Sequence, residues 1–565
     1  MNAERLLALY DRVADAPDAV GRLRRFILDL AVRGKLVEQD AGEEPAGELL
    51  RRIAAARRLS EAQKLKSRTR PSSVTREETP PELPLGWASV QLGDVVRVIN
   101  GRAYKQQELL NSGTPVLRVG NLFTSNHWYY SNLDLDDDKY CDAGDLIYAW
   151  SASFGPFIWQ GPRVIYHYHI WKLSLISDAD TDKQFLFTFL LQKTREIKEA
   201  GHGISMLHMT KEKMERLHVP LPPVAEQKRI VAKVDELIAL CDRLEAARAN
   251  REATRDRLAA ASLARLNAPD PEYFTAHARF ALDALPALTT RPDQIKALRK
   301  TILNLAVRGR LIDQDPAEEP TGVTLGRMNV SPSGEGSFPL PCSWTWVDVG
   351  KVAATRLGKM LDKANNKGVP RPYLRNANVR WLDFDLTDLL EMPFEDGELE
   401  EFALRAGDVL ICEGGEPGRA AVWDERVDGI YFQKAIHRVR FKDLVDPKYF
   451  VTALRASALD GRLSESFTGT GIKHFTGKGL DAYTFPLPPI SEQHRIVAKV
   501  DELMALCDQL ETSLASTDRA RGNLLHSLLT QALAPPSEQA PLTADADLHS
   551  LTKIGPDSLI QESVL

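Results

Sequence analysis

The sequence predicts an α+β protein in which two similar mixed units are joined by two long helices. The stretch PLPPVAEQKRIVAKVDELIALCDRLE, which begins at Pro220, returns from Pro486 as PLPPISEQHRIVAKVDELMALCDQLE, with 21 of 26 positions identical. Residues 23–50 return as residues 298–325, with 17 of 28 positions identical. Repeats at this spacing indicate two copies of one architecture, and we expect them to be related by an internal pseudo-two-fold axis.

Length and composition set the class of protein. A chain of 565 residues exceeds one hydrophobic core, and 43% hydrophobic and 27% charged residues are typical of a folded protein. The net charge of −6 gives no overall basic footprint, so any nucleic-acid partner must be contacted through local charge. The five cysteines form no CxxC pair, and no signal core or apolar run of about 18 residues occurs, so we expect a cytoplasmic protein.

The parts follow one another in a cyclic order. We expect the N-terminal helices to lie beside the last long helix, because the second long helix has no helical segment after it and the first one does. The predicted parts are a helical segment (1–56), a linker (57–80), a mixed unit (81–220), a long helix (224–266), a second helical segment (270–325), a second mixed unit (338–486), a second long helix (490–534) and a tail without stable structure (535–565).

Both long helices carry apolar residues at alternating spacings of four and three, the pattern of a coiled-coil seam. The first seam weakens after Leu244, where Arg248, Arg251 and Arg255 take the apolar positions. A continuous helix over residues 224–266 would be about 65 Å long at ~1.5 Å per residue. We therefore predict two antiparallel helices that form a rigid strut with a short coiled coil. The seam residues are Ile230, Val234, Leu237, Cys241 and Leu244 in the first helix and Ile496, Val500, Leu503, Cys507 and Leu510 in the second.

Local charge points to a possible nucleic-acid surface in each mixed unit. Residues 351–380 are strongly basic, residues 383–401 are acidic without a base, and the first unit repeats this order more weakly. A basic surface that faces phosphates, with the acidic face turned away, would fit, although a solvated charged surface is the common alternative. Arg, Lys, Asn and aromatic residues, which can read base edges, are interleaved in GRAYKQQ, RVGNLFTSNHWYY and RPYLRNANVRW.

Catalytic signatures are weak. FTGTG from Phe467 resembles the glycine-rich loop of S-adenosylmethionine methyltransferases, but no Asn/Asp-Pro-Pro-Tyr/Phe tetrapeptide accompanies it. The spacing of a phosphate-binding loop is absent as well. Cys241 and Cys507 lie at seam positions, where a buried hydrophobic role is expected. His167 and His169 alternate as in a strand without a third ligand nearby, so a structural or DNA-contacting role is favoured over a metal site.

These motifs in combination resemble the DNA-specificity subunits of type I restriction-modification systems. The resemblance is carried by the two PLPP(V/I)(A/S)EQ(K/H)RIVAKVDEL blocks, the two LAVRG(K/R)L(V/I)(E/D)QD blocks and the AGD(L/V) and G(H/T)GI landmarks, over about residues 1–534. It implies that the mixed units are target-recognition domains, each reading one half of a split DNA sequence. It further implies that the helices space the two halves. The helical segment before the first domain departs from many members and suggests a permuted arrangement.

The resemblance also implies the partners. The subunit would be non-catalytic and would hold two methyltransferase subunits, which in this family recruit two nuclease or translocase subunits. S-adenosylmethionine, ATP and Mg would then be bound only by partners, and no metal by this chain. The candidate DNA-binding residues are Arg102, Tyr104, Lys105, Arg118, Asn121, His127, Ser151, Ser153, His202, His208, Lys359, Lys363, Lys367, Arg371, Arg375, Asn376, Asn378, Lys434, Lys473 and His474. The candidate partner-docking residues are Glu226, Gln227, Arg229, Glu492, Gln493 and Arg495.

The main alternative is a protein scaffold without DNA, whose variable units bind proteins and whose repeated helices bind one partner twice. Binding of random duplex DNA in a salt-dependent manner would separate the two hypotheses, because phosphate contacts release counterions.

Overall fold

The computed structural model describes residues 14–63, 83–151, 153–200, 209–268, 272–334, 336–362 and 366–533. These residues form two compact units. Unit 1 comprises the described residues up to Asn250 together with Asp518 onward, and unit 2 comprises Arg251–Thr517. The predicted tail and residues 64–80 of the predicted linker lie outside the described residues. The first long helix starts in unit 1 and ends in unit 2, and the second does the reverse.

Unit 1 contains a helical segment, a mixed domain and the first part of a long helix. Helix α2 continues to Gln63, past the predicted end at residue 56, so helix replaces the start of the predicted linker. The helices are α1 (Ala19–Val32), α2 (Ala46–Gln63), α3 (Leu92–Val95), α4 (Val119–Phe123), α5 (Lys183–Ala200), α6 (Lys211–Glu215) and the start of α7 (Val224–Asn267). The strands are β1 (Ala88–Gln91), β2 (Val96–Asn100), β3 (Thr114–Leu117), β4 (Tyr129–Ser131), β5 (Tyr140–Cys141), β6 (Leu146–Ser151), β7 (Ser153–Ile158), β8 (Val164–Tyr166), β9 (Ile170–Leu175) and β10 (His218–Leu221).

The strands of unit 1 form two four-stranded sheets and one short pair. The first sheet is antiparallel in the order β2-β9-β6-β7, and the second has the order β4-β3-β8-β5 with β3 and β8 parallel. Strand β1 pairs with β10, with Ala88 opposite Leu221, and so joins the beginning of the domain to its end. Helix α5 covers the first sheet because Phe185, Leu186 and Phe189 fall on one helical face and are buried.

Unit 2 repeats this plan. Its helices are the end of α7, α8 (Phe274–Asp283), α9 (Leu285–Leu288), α10 (Pro292–Val307), α11 (Thr321–Arg327), α12 (Val349–Val352), α13 (Leu399–Phe402), α14 (Pro447–Asp460), α15 (Gly477–Asp481) and the first part of α16 (Ile490–Leu533). Its strands are β11 (Thr345–Asp348), β12 (Ala353–Leu357), β13 (Val369–Leu374), β14 (Leu390–Phe394), β15 (Val409–Cys412), β16 (Ala420–Val422), β17 (Tyr431–Phe432), β18 (Ile436–Phe441) and β19 (Thr484–Leu487).

The sheets of unit 2 correspond to those of unit 1. They are β12-β18-β15-β16, β14-β13-β17 and the pair β11-β19, in which Thr345 lies opposite Leu487. Strands β13 and β17 are parallel, as β3 and β8 are. Among the described strands, β5 of unit 1 has no counterpart, so the second domain has three strands where the first has four. The two domains therefore share a frame and differ in one of its sheets.

The seam residues of each long helix pack into the core of their own unit. Ile230, Val234 and Cys241 share a buried cluster with Ile27 and Ala31 of α1. Their counterparts Ile496, Val500 and Cys507 share one with residues of α10, including Ile302 and Leu303. The apolar stripe that predicted a coiled coil thus meets a helical segment of the same unit. Burial also raises the pKa of both cysteine thiols, which fits the predicted role as small hydrophobes.

A polar clamp fixes the start of each long helix. In unit 1 the indole Nε1 of Trp87 donates to Oε2 of Glu226 at 3.0 Å, and Arg229 pairs with Glu43. In unit 2 Trp344 donates to Oε2 of Glu492 at 3.0 Å, and Arg495 pairs with Glu318. Each clamp joins the two repeated stretches of its half, since Glu43 and Glu318 belong to one stretch and the other acids and arginines to the second. This contact explains why the two stretches are duplicated together.

The chain ends of unit 1 are brought together by a small core. Ala16, Ala19 and Phe26 form a buried cluster with Leu525, Leu528 and Leu529 of α16. Arg22 also donates to the carbonyl oxygen of Gly522 at 2.9 Å. In unit 2 the end of α7 packs in the same way, since Leu263 and Leu266 cluster with Ala281 of α8. The N-terminal helix lies beside the last long helix, as the cyclic order of parts predicts.

Candidate nucleic-acid interface

Several predicted residues of unit 1 meet at one edge of the mixed domain, which we call rim 1 (residues 101–105, 118–121, 150–151 and 167–169). Strands β2, β3, β6 and β8 all end there, and backbone hydrogen bonds connect their ends. The amide of Arg102 donates to Tyr166 O at 3.1 Å, that of Tyr168 to Arg102 O at 3.0 Å, and that of His167 to Leu117 O at 2.9 Å. The edge is therefore a fixed backbone frame.

Unit 2 has the same frame at rim 2 (residues 358–359, 375–378, 413–414, 433–435 and 468–474). The amide of Lys359 donates to Phe432 O at 3.1 Å, that of Lys434 to Lys359 O at 2.8 Å, and that of Gln433 to Leu374 O at 3.1 Å. These bonds correspond one to one with those of rim 1. The side chains on the two frames differ, with His167 and Tyr168 in one and Gln433 and Lys434 in the other. Two rims of equal geometry thus carry different chemistry.

Rim 1 combines two exposed cations with aromatic rings. Lys105 and Arg118 are exposed, and the Arg118 guanidinium lies 5.0 Å from the ring centroid of Tyr129. Arg102 is half-buried and pairs with Glu108 at 2.8 Å. Tyr104 stacks on His167, and burial raises the pKa of Tyr104 to about 12, so it is a neutral phenol. Cations and aromatic faces together suit phosphates and bases.

The turn between β8 and β9 carries a cluster of rings. Tyr168 is 39% exposed, and its ring centroid lies 3.9 Å from that of His169 and 6.1 Å from that of Trp150. Burial, with His169 nearby, lowers the pKa of His167 to about 4, so this imidazole is neutral at physiological pH. Strand β8 ends at Tyr166 and β9 begins at Ile170, so His167 and His169 lie in the turn between them and not within a strand as the sequence suggests. No metal-binding group of three or more His, Cys, Asp or Glu occurs among the described residues.

Two predicted base readers have an internal role. Asn121 accepts from the Arg118 amide at 3.1 Å and donates to His127 O at 2.8 Å. Asn378 accepts from the Arg375 amide at 2.9 Å and donates to Asp385 O at 2.8 Å. Asn378 is also buried. Each asparagine closes the turn that follows a rim strand, so its amide stabilises the backbone of the rim through hydrogen bonds inside the domain.

Three of the five remaining candidates of unit 1 lie at or near the rim. His127 is exposed beside Tyr129, Ser151 is half-buried at the end of β6, and Ser153 is exposed at the start of β7. His202 and His208 lie outside the described residues. The structure therefore places three of these five around the hairpin β6–β7 and the β4 strand.

Fewer basic side chains are exposed on rim 2 than the sequence suggests. Lys434, Lys473 and His474 are exposed. Lys359 is 8% exposed, and its ammonium contacts Glu398 at 2.5 Å and Pro393 O at 2.9 Å. Arg375 pairs with Asp388 at 2.5 Å. Lys359 is thus held inside the domain, and Lys434 and Lys473 are the exposed lysines of the rim.

Other candidates of unit 2 are dispersed. Asn376 lies on the rim and donates to Gly414 O at 2.8 Å. Arg371 is half-buried within β13, and Lys367 precedes that strand at the end opposite Arg375. Lys363 lies outside the described residues. The long basic run is therefore not one continuous surface.

The expectation that the acidic run turns away from the basic run is wrong in unit 2. Strand β14 returns antiparallel to β13, and the acids that surround it pair with the bases. Arg356 pairs with Glu401, Lys359 with Glu398, Arg375 with Asp388 and Arg380 with Asp385. The basic and acidic runs of unit 2 therefore pair with each other, both in the loop between β13 and β14 and between residues 356–359 and residues 398–401.

The predicted docking residues fall into a buried group and a partly exposed group. Glu226 and Glu492 are 1% exposed, and Gln227 and Gln493 are fully buried. Gln227 accepts from the Asp182 amide at 2.7 Å, and Gln493 from the Asp446 amide at 2.8 Å. These four side chains hold the helix to the mixed domain and offer no surface to a partner. Arg229 and Arg495, the arginines of the two clamps, are partly exposed.

Sequence reasoning missed three rim residues, Tyr168, Gln433 and Ile472. For Tyr168 and Gln433 the signal was the alignment of the halves, since VIYHYHIWK matches IYFQKAIHR around the rim turn. Only the frame shows that this turn meets the ends of the other strands. In the described residues no helix is long and apolar enough to cross a membrane.

The comparisons with known proteins agree with the duplicated frame. The type I restriction modification DNA specificity domain matches residues 84–254 and again residues 344–516. The chain is 25% identical over 561 residues to the EcoAI specificity subunit of Escherichia coli, covering 91% of this chain and 94% of that one. The EcoEI specificity subunit of the same species is 24% identical over the same shares.

Solved structures are similar over most of the chain. The HsdS subunit from Thermoanaerobacter tengcongensis is 19% identical with a TM-score of 0.44, covering 81% of this chain and 99% of that one. A second solved chain comes from a study of complex assembly and conformational transition of the type I R-M system, and it is 19% identical with a TM-score of 0.47. The match covers 82% of this chain and 100% of that one. The two domain matches together span more than half of the sequence. The chain therefore belongs to the family of type I restriction-modification DNA specificity subunits.

Proposed function

We propose that each mixed domain reads one half of a bipartite DNA sequence and that the long helices set the unread spacer between the halves. The observation that carries this proposal is the pair of rims, which share their backbone hydrogen bonds and differ in their side chains. A common frame would dock on duplex DNA in one way. Unlike side chains on that frame would then select different bases, because base edges in the major groove present distinct donor and acceptor patterns.

Rim 1 and rim 2 would read by different means. Rim 1 offers Arg118, Lys105 and the exposed ring of Tyr168, which suit phosphate contact and stacking. Rim 2 offers Lys434, Lys473 and the neutral amide of Gln433. An asymmetric pair of half-sites is the expected result.

The long helices would also hold two copies of one methyltransferase subunit. The repeated block presents matching residues in both units, since the exposed Asp235 and Glu236 correspond to the exposed Asp501 and Glu502. The exposed Leu240 corresponds to Leu506, which is half-buried. Lys233 pairs with Glu236 and Lys499 with Glu502, both at 2.9 Å. Equal surfaces suit equal partners, and we assign docking to this face in place of the buried Glu and Gln pairs. An antiparallel coiled coil of the two helices belongs to the same proposal.

The chain itself would be non-catalytic in a cytoplasmic complex. S-adenosylmethionine, ATP and Mg would be bound by the methyltransferase subunits and by any nuclease or translocase subunits.

Selection from randomised duplex DNA by the purified complex with its methyltransferase subunits tests the proposal. We expect an enriched sequence with two unlike half-sites separated by positions without preference, and affinity that falls as salt rises. One contiguous site would contradict the division between domains. Absence of DNA binding would favour the protein scaffold, which is the remaining alternative.

A further inference from the structure

Rim 2 carries an exposed aliphatic side chain on a short hairpin. Thr468 and His474 exchange both backbone hydrogen bonds, each at 2.9 Å, and enclose residues 469–473 in a tight loop. Ile472 lies in this loop and is 74% exposed. Lone exposed aliphatics are ordinary on protein surfaces. The setting of Ile472, rather than its exposure alone, makes it informative.

The base of the hairpin is held on both sides. Phe467 and Phe475 pack edge to face with ring centroids 5.5 Å apart, and Phe475 is fully buried. The Phe475 amide donates to Glu413 O at 2.7 Å, and its carbonyl oxygen bonds His437 Nε2 at 2.8 Å. The loop is therefore anchored to the rim strand β15 at its base.

The turn of the hairpin depends on one glycine. Gly469 has φ of +100°, and a Cβ there would lie 2.2 Å from the carbonyl oxygen of Ile472. A side chain at this position would push the tip away from its base. The close approach of Gly469 to the carbonyl oxygen of Ile472 therefore keeps the loop compact, and this fixes the position of the exposed isoleucine.

The neighbours of Ile472 are those of a groove-reading element. Lys473 and His474 follow it and are exposed, and Asn376 of the rim bonds Gly414, whose Cα faces the His474 ring. The loop that carries Ile472 is closed by a single antiparallel bridge between Thr468 and His474. In the major groove of B-DNA, the feature that an aliphatic side chain recognises is the C5-methyl group of thymine. The exposed side chain of Lys473 would contact a phosphate.

We propose that Ile472 is a specificity-determining residue that contacts a thymine methyl group in the half-site read by the second domain. This inference rests on the proposed function, since it needs rim 2 to face DNA. Ile472 would then favour one A·T pair of the half-site, with the thymine on one particular strand.

The test combines a change in the DNA with a change in the protein. In the selected site, each thymine of each half is replaced in turn by deoxyuridine, which removes only the methyl group. For the wild-type complex we expect affinity to fall about fourfold at one thymine, as for loss of one buried methyl-sized group. For Ile472→Ser we expect the thymine and deoxyuridine duplexes to bind equally, both at the lowered affinity.

Val427→Ser is the matched control. Val427 is an exposed aliphatic of the same domain, in the loop between β16 and β17 near the start of β15, at the opposite end of that strand from rim 2. We expect this variant to keep the wild-type response to deoxyuridine. Equal thermal unfolding of all three complexes shows that folding is preserved.

Three results would overturn the inference. They are a wild-type affinity unaffected by deoxyuridine at every position, an Ile472→Ser complex as sensitive as the wild type, and a half-site for the second domain that lacks any A·T pair. Each of these presupposes a selected bipartite site. Failure of the proposed function would appear earlier, as the absence of such a site for the wild-type complex.

Discussion

At the scale of single residues, the two rims contain polar side chains of two kinds. Asn121, Asn378 and Lys359 have partners inside their domain, whereas Lys434, Lys473 and Arg118 are exposed. Sequence reasoning named all six, because residue type and interleaving do not reveal whether an amide closes a turn or faces a groove. Whether such a side chain bonds within its domain or is exposed depends on which strand ends lie next to it in the fold.

Asn378→Ala should destabilise unit 2. The substitution removes the buried Asn378 amide, so the Arg375 amide and the Asp385 carbonyl oxygen lose a partner in part-buried hydrogen bonds, which costs about 1–3 kcal/mol. We expect a lower thermal midpoint for this variant. Asn366→Ala, which removes one exposed bond to Met360 O, is the control. Equal midpoints would show that the turn does not need its amide.

Lys434→Ala should weaken DNA binding without changing the preferred sequence. A lysine that contacts a phosphate contributes to every duplex, so affinity should fall uniformly and the slope of log affinity against log salt should decrease by about one unit. Titrations at several salt concentrations measure both quantities. Lys442→Ala, an exposed lysine at the opposite end of β18, should behave as the wild type. A changed base preference for Lys434→Ala would instead identify a base contact.

At the scale of elements, the clamp at the start of each long helix makes stability depend on pH. Burial raises the pKa of Glu226 and of Glu492 above the ordinary value. The folded protein therefore holds these protons more tightly than the unfolded chain does. This contribution to stability is full below about pH 4.3, the ordinary pKa of glutamate, and is lost as pH rises toward the folded pKa.

The double variant E226Q/E492Q removes this linkage, because an amide does not titrate. As pH rises above about 4.3, we expect the thermal midpoint of the variant to rise relative to that of the wild type. Unfolding scans across pH 4–8 give the comparison. A difference that is constant with pH would show that these carboxyl groups titrate as they do in the unfolded chain.

The elements themselves were largely predictable. Apolar periodicity indicates both long helices, which the structure bounds at Val224–Asn267 and Ile490–Leu533. The partner of the apolar seam was not predictable from periodicity, which shows that a stripe is buried and not what covers it. The β13–β14 hairpin was missed for a similar reason, since opposite charge runs look alike whether they pair or face apart.

The contact between the chain ends of unit 1 can be tested on one leucine. Leu528 is fully buried between α16 and α1, and replacing a buried leucine by alanine costs about 2–5 kcal/mol. We expect Leu528→Ala to lower the midpoint of unfolding of unit 1. Leu459→Ala, at an exposed site on α14, should have little effect. An unchanged midpoint for Leu528→Ala would argue against the docking of the last helix on the first.

At the scale of the whole molecule, the cyclic order of parts was readable from the repeats alone. The duplicated stretches mark the segments that contact each other in the clamps, and the divergent segments between them form the mixed domains. Rim composition could not be read in this way, because each rim collects strand ends from residues that are far apart in sequence. Recognition of a bipartite site therefore depends on two rims that share one backbone frame and select different bases.

Hydroxyl-radical footprints of the complex on its selected site test that central claim most directly. We expect the wild type to protect two separate segments, Arg118→Ala to weaken protection at one segment only, and a Lys434→Ala/Lys473→Ala variant to weaken it at the other. Equal loss at both segments from either variant, or protection of a single continuous segment, would contradict the assignment of one half-site to each domain.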